Sequence, residues 1–184
     1  PKNKKNTKLE NLLIKNRYKI FKGPEENVLK RFYDAANSFK LDIIVRITSD
    51  CPFSDPNLID KLIDILIKKK LDYASNTLYP TFPDGLDVET FTFKSLTYAN
   101  KKAKSIFDRE HVTPYIKRNT KFKKFNLAHN TNLSNFRFTI DEKKDLELVE
   151  FVFKNFKDNF KWEKLIKSKK IKKIALNSGS MQRD

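Results

Sequence analysis

The stretch Asp42-Ile43-Ile44-Val45-Arg46-Ile47 constrains this chain more than any other segment. A continuous run of β-branched residues is what a parallel strand buried on both faces requires, because neither face can be polar. Eight residues later comes Asp55-Pro56, an N-cap residue followed by the proline that suits a first helical position. Leu58, Ile59, Leu62, Ile63 and Leu66 then recur at helical spacing up to Lys70. Ahead of the strand, Val28, Leu29, Phe32, Ala35, Ala36 and Phe39 mark a second amphipathic helix. Helix, strand, helix and a further short strand at residues 73–75 describe an α/β layer arrangement.

The flanking segments are less regular. Residues 18–21 alternate as a short strand that turns at Gly23, and Pro24 is expected to open the helix, with Glu25 and Glu26 complementing its dipole. Residues 80–85 read as loop, 88–93 as strand, 94–104 as helix and 112–118 as a short helix. Residues 122–127 and 136–140 read as strands. Residues 143–156 form a helix expected to turn Leu146, Val149, Phe153 and Phe156 inward, and a last helix holds Trp162, Leu165 and Ile166. The expectation is a three-layer α/β fold whose mostly parallel sheet gains antiparallel members. Residues 1–160 form the main domain and residues 161–184 a C-terminal helix with a basic tail or linker.

With 184 residues the chain can bury one core. No run approaches the roughly 20 apolar residues of a membrane span, and no signal peptide opens the sequence. One cysteine, Cys51, excludes an internal disulfide framework and fits a reducing compartment, so the cytoplasm is the expected location. The net charge of +16 raises the question of nucleic acid. Only seven of the 39 basic residues are arginine, however, and the lysines are spread over the whole chain. Phosphate recognition favours the planar guanidinium, so the basicity reads as solvated surface. A basic nucleic-acid-binding module remains the rival from another class.

Several polar residues fall where chemistry would be placed. Ligands of open α/β sheets bind beyond the carboxyl ends of strands, and residues 43–47 lead into Thr48-Ser49-Asp50-Cys51-Pro52. Asp50 can hold Mg²⁺ there, or cap a turn before Asp55-Pro56. Asp141, between a strand and a helix, can N-cap that helix or join Asp50 on one cation. Asp84-Gly85-Leu86-Asp87 is a turn whose carboxylates and backbone suit a polyhydroxylated substrate, or serve the turn alone. Arg109, Glu110 and His111 place three ionisable types side by side. Cys51 has no neighbouring histidine or second cysteine in sequence, which gives no basis for a nucleophile or zinc ligand. With glycine only at 23, 85 and 179, no Gly-rich phosphate loop is present.

Four strings in order carry a family resemblance: F-K-G-P-E-E-N-V-L-K-R-F-Y-D-A-A (21–36), D-I-I-V-R-I-T-S-D-C-P (42–52), S-N-T-L-Y-P-T-F-P-D-G-L-D-V-E (75–89) and R-E-H-V-T-P-Y-I (109–116). Together they resemble the cytidylyltransferases of polysaccharide biosynthesis, the spore-coat type, related to the CMP-sialic acid and CMP-Kdo synthetases. The resemblance runs from about residue 18 to 156. It implies a Rossmann-like nucleotide-diphospho-sugar transferase fold and transfer of CMP from CTP to a sugar, with Mg²⁺ as cofactor. It implies Asp50 and Asp141 as metal-binding catalytic residues and Arg46 and Ser49 near the nucleotide or metal. Asp84, Gly85, Asp87, Arg109, Glu110 and His111 would bind the sugar. Family members begin with a loop resembling A-R-x-x-S-x-R-L-P-x-K, which has no counterpart here. The chain, starting at Pro1, therefore reads as a piece lacking the first strands and is expected to be inactive alone. The expected partners are CTP and a sugar, without nucleic acid or membrane insertion. A homodimer, a fused downstream enzyme domain, another NTP and a non-catalytic role all stay open.

Overall fold

The computed structural model describes residues 1–156 and 161–177. After a 3-10 turn at Lys4–Asn6, the elements are α1 (Thr7–Lys15), α2 (Val28–Ser38), β1 (Ile43–Arg46), α3 (Pro56–Lys68), β2 (Tyr73–Ser75), β3 (Glu89–Thr92) and α4 (Phe93–Lys102). There follow α5 (Ile106–His111), α6 (Pro114–Arg118), β4 (Lys124–Asn126), α7 (Lys143–Asn155), α8 (Trp162–Lys167) and α9 (Lys169–Asn177). The strands form an open sheet in the order β1-β3-β2-β4, and β2 pairs with β4 in parallel, Ala74 opposite Phe125. This is the expected α/β fold. No helix among the described residues is long and apolar enough to cross a membrane.

The chain divides into two compact units and passes between them within β1 and again within β3. The first comprises residues 1–44 and 91–123. Here α2 packs on α4 and α5, and α6 packs on both α4 and α5. Leu29, Ala36, Ile44, Phe91, Leu96, Ala99, Ala103, Val112 and Ile116 are among its buried apolar residues. Asn27, not the segment at Pro24, caps α2 by accepting the Lys30 N–H at 3.0 Å. Residues 18–21 form no strand: their backbone makes no ladder, and Gly23 instead lies against the aliphatic stem of Arg31. The α5–α6 corner was not foreseen. Its ends are joined by a two-pronged ion pair from Arg118 to the buried Asp108.

The second unit comprises residues 45–90 and 124 onward. Asp55 caps α3 by accepting the Asn57 N–H at 2.9 Å, as the Asp-Pro pair predicts. Leu58, Leu62 and Leu66 are its buried stripe, set against β2. Two expectations need correction. Residues 136–140 make a single parallel bridge, Asp84 with Arg137, rather than a strand, because their amides are shared among several segments. The inward face of α7 is Asp145, Leu148, Val149 and Val152, while Leu146 and Phe153 are about half exposed. The inward stripe shifts because the helix orients around its buried acid, Asp145. At the end of the described chain, Trp162 and Leu165 of α8 and Ile171 and Ala175 of α9 are buried. The run at residues 43–47 is not buried on both faces as its β-branched composition suggests: Ile44 is buried, residues 43, 45 and 46 are half-buried and Ile47 is exposed, in keeping with the edge position of β1 in the order above.

The Arg118 hydrogen bonds hold the Asp108 carboxyl below its ordinary range, against the opposing effect of burial. A depressed folded-state pKa means that the pair stabilises fully above the unfolded value, about 3.9, and that this stability is lost as pH falls through the folded value. Asp108→Asn is expected to cost about 1–2 kcal/mol at pH 7, the exposed guanidinium recovering part of the loss through solvation. Urea midpoints of variant and wild type should converge below about pH 4. A constant gap across that range would mean that packing, not charge, is what the variant loses.

Candidate functional site

The second unit brings the segments that carry Asp50 and Asp141 alongside one another. The chain leaves β1 and turns at residues 48–51, closed by the Cys51 N–H on the Thr48 carbonyl at 3.2 Å. The Asp50 carbonyl accepts the N–H of Ile140 at 2.9 Å. Asp141 is the next residue, so the two segments run side by side at this point. Neither carboxylate is consumed as a helix cap. Asp55 caps α3, and Glu142 is the N-cap of α7. The contact made by the Asp50 carboxylate is the Cys51 thiol at 3.6 Å.

Asp141 sits in a network that sequence reasoning missed. Its Oδ2 accepts from Arg137 Nη2 at 2.9 Å and from the Thr139 hydroxyl at 2.7 Å. Arg137 Nη2 also donates to Asp145 at 2.7 Å, and both of these side chains are buried. Asp145 in turn accepts the backbone N–H groups of Asp141 and Glu142, at 3.0 and 2.8 Å. The signal was present: an arginine and an acid at i and i+8 flank Asp141, and an acid three residues past a helix cap closes that cap. What local sequence could not show was that Arg137 points inward.

The turn at 83–87 is anchored to the same segment. The Asp84 N–H donates to the Phe136 carbonyl and the Phe138 N–H to the Asp84 carbonyl, both at 2.8 Å. Gly85 has φ +92°, and a Cβ there would come within 2.7 Å of the Phe138 carbonyl carbon. Glycine is therefore needed twice over, for its backbone angle and for the close approach. Asn76, wholly buried, clamps the far side of the turn. Its amide donates to the Leu86 carbonyl at 2.8 Å and its oxygen accepts the Val88 N–H at 2.9 Å. Asp84 and Asp87 are half-buried at this turn, and Ser49 is exposed.

Arg46 is engaged elsewhere. It pairs with buried Glu89 at 2.5 Å, whose other oxygen accepts the Tyr73 hydroxyl at 2.6 Å. Burial, and then the charge of Glu89, push the Tyr73 hydroxyl well above its usual range. Burial likewise pushes the Cys51 thiol up to about 12, despite a hydrogen bond from Thr48 and with the charges of Asp50 and Asp87 adding to the rise. Such a thiol is no nucleophile. Arg109, Glu110 and His111 belong to α5 of the first unit. Arg109 and Glu110 are exposed, and the His111 ring lies 4.5 Å from that of Phe107. His129 packs between Phe82 and Trp162 in the second unit.

Among the described residues no group of three or more His, Cys, Asp or Glu side chains is arranged to hold a metal ion. The carboxylates of Asp50 and Asp141 are hard oxygen donors, and such donors suit a cation that takes one or two carboxylates and completes its shell with water and phosphate oxygens. Mg²⁺ fits that description.

The cytidylyltransferase family model matches residues 12–180. A protein of uncharacterised function from Methanocaldococcus jannaschii is 43% identical over 140 residues, covering 74% of this chain and 56% of that protein. The spore coat polysaccharide biosynthesis protein SpsF of Bacillus subtilis is 30% identical over 150 residues, covering 79% of this chain and 61% of that protein. The chain thus spans little more than half the length of these curated relatives. The solved structure of a cytidylyltransferase from Leptospira borgpetersenii superposes with a TM-score of 0.90 at 30% identity, covering 98% of this chain and 78% of that one.

Two substitutions test the local geometry. Gly85→Ala is expected to cost about 2–4 kcal/mol in urea denaturation, from left-handed strain together with the backbone clash. Arg46→Met is expected to cost about 3 kcal/mol, because it removes the cation paired with a buried carboxylate. An Arg46→Met protein as stable as wild type would free Arg46 for ligand binding.

Proposed function

Because this chain belongs to the cytidylyltransferase family, we propose that the protein carrying it transfers CMP from CTP to a sugar hydroxyl and releases pyrophosphate. The observation that supports this reading best is the backbone bond between Ile140 and Asp50, which joins the segments that carry Asp50 and Asp141. The sugar is inferred from the polysaccharide role in the name of the Bacillus relative.

In this reaction the sugar oxygen forms a bond to the α-phosphorus of CTP as the bond to the bridging oxygen breaks. Pyrophosphate leaves, and the hydroxyl proton passes to solvent. Mg²⁺, when bound, supplies neutralisation of phosphate charge. Asp50 and Asp141 would hold it, and the remaining task of the chain is positioning. The rigid turn at Asp84, Gly85 and Asp87 offers backbone and carboxylate acceptors to sugar hydroxyls. Arg109, Glu110, His111 and Ser49 stay candidates for substrate contact. Arg46 takes a structural part through Glu89.

Asp50→Asn in the protein that carries this chain is expected to lower pyrophosphate release from CTP and sugar by about 10²–10³-fold, with the urea midpoint unchanged. Near-normal turnover would return Asp50 to a turn residue. Offering ATP, GTP and UTP beside CTP in the same assay decides the nucleotide, and a clear preference for one of them would replace CTP in this proposal.

A further inference from the structure

Buried arginine is costly unless its charge is balanced, and Asp145 already balances Arg137 within the interior. The guanidinium nevertheless reaches a second acid, Asp141, whose side chain is 38% exposed and needs no partner in order to be tolerated. Two independent donors converge on one oxygen of that acid. Arg137 Nη2 and the Thr139 hydroxyl both donate to Asp141 Oδ2. The proton direction is settled by chemistry. Arg137 Nε can only donate, at 3.0 Å to Thr139 Oγ1, so the threonine proton goes to the carboxylate. The backbone of Asp141 is held as well, through its N–H on Asp145. Among the described residues Oδ1 of Asp141 takes no hydrogen bond, and the next residue back is joined to Asp50.

We propose that Arg137, balanced by Asp145, is a positioning residue that presets Asp141 for a divalent cation by pinning Oδ2 and presenting Oδ1. This rests on the reading of Asp141 as a cation ligand given above. A group that orients a ligating carboxylate from behind fixes its direction before the ion arrives, which is how outer-shell partners raise metal affinity. Were Arg137 only the counter-charge of Asp145, its contact with Asp141 would have no consequence for binding.

The test uses Mn²⁺, which shares the oxygen preference of Mg²⁺, titrated into the protein and followed by broadening of the Asp50 and Asp141 amide signals. The paired variant Arg137→Met/Asp145→Asn removes one charge of each sign, and its asparagine oxygen can still accept the cap N–H groups. It is expected to bind Mn²⁺ about tenfold more weakly. Thr139→Val, which deletes one donor and leaves the ion pair, is expected to weaken binding about threefold. Should the paired variant fail to fold, Thr139→Val decides. Unchanged affinity in folded variants overturns the positioning role. Tighter binding also overturns it, since the guanidinium would then merely neutralise Asp141. Absence of broadening at Asp50 and Asp141 in the wild type sinks the cation reading itself, and this proposal with it.

Discussion

The backbone of residues 136–140 is shared among several segments of the second unit. Phe136 and Phe138 bond to Asp84 on the turn, Arg137 donates to Ala175 of α9, and Ile140 donates to Asp50. Buried peptide groups must find partners, and here they find them in three different stretches of chain. That explains why the segment makes only one bridge instead of a ladder. It also couples the turn, the strand-end rim and the start of α7 to a single piece of backbone. Gly85 is what permits this arrangement, since any side chain there would strike the Phe138 carbonyl.

The charge distribution makes sense in the same terms. Three of the seven arginines pair with buried acids: Arg46 with Glu89, Arg118 with Asp108 and Arg137 with Asp145. A planar fork matches a carboxylate at fixed geometry, whereas lysine is a strongly hydrated point charge. Lysine accordingly appears in exposed pairs such as Lys30 with Asp34 and Lys68 with Asp64. The excess positive charge is thus carried mainly by side chains that suit solvent, and the structurally committed arginines are not available as a phosphate-binding stripe.

What was legible in the sequence follows from how local each signal is. The cap at Asp55, the stripe of α3 and the strand at residues 43–46 depend on neighbours a few positions apart, and they are where expected. Asp50 lies just past β1, where the strand-end rule puts it, whereas Asp141 follows a segment that forms no strand; the ordered motifs carried the family. The misses were non-local. Residues 18–21 have a strand's pattern and no partner strand. Leu146 and Phe153 have a helix's apolar spacing, but the inward face is set by Asp145, a charged residue whose burial depends on Arg137. Local reading likewise could not show that Arg46, which the resemblance sets near the nucleotide or metal, pairs with buried Glu89, 43 residues away.

The corner between α5 and α6 shows the same dependence of local geometry on distant packing. Val112 has φ 72° and ψ −55°, and the Thr113 N–H bonds to the His111 carbonyl at 2.8 Å across it. This is a γ-turn of the strained hand. For a β-branched residue it costs about 1–3 kcal/mol and persists only where the surroundings over-determine it. They do so here. Val112 is completely buried, Pro114 begins α6 two residues later, and Arg118 at the far end of α6 grips Asp108 within α5. The ion pair closes the corner from outside while burial of Val112 closes it from inside. The ring of His111 is thereby held at the exit of α5 in a backbone that cannot relax without breaking one of the two.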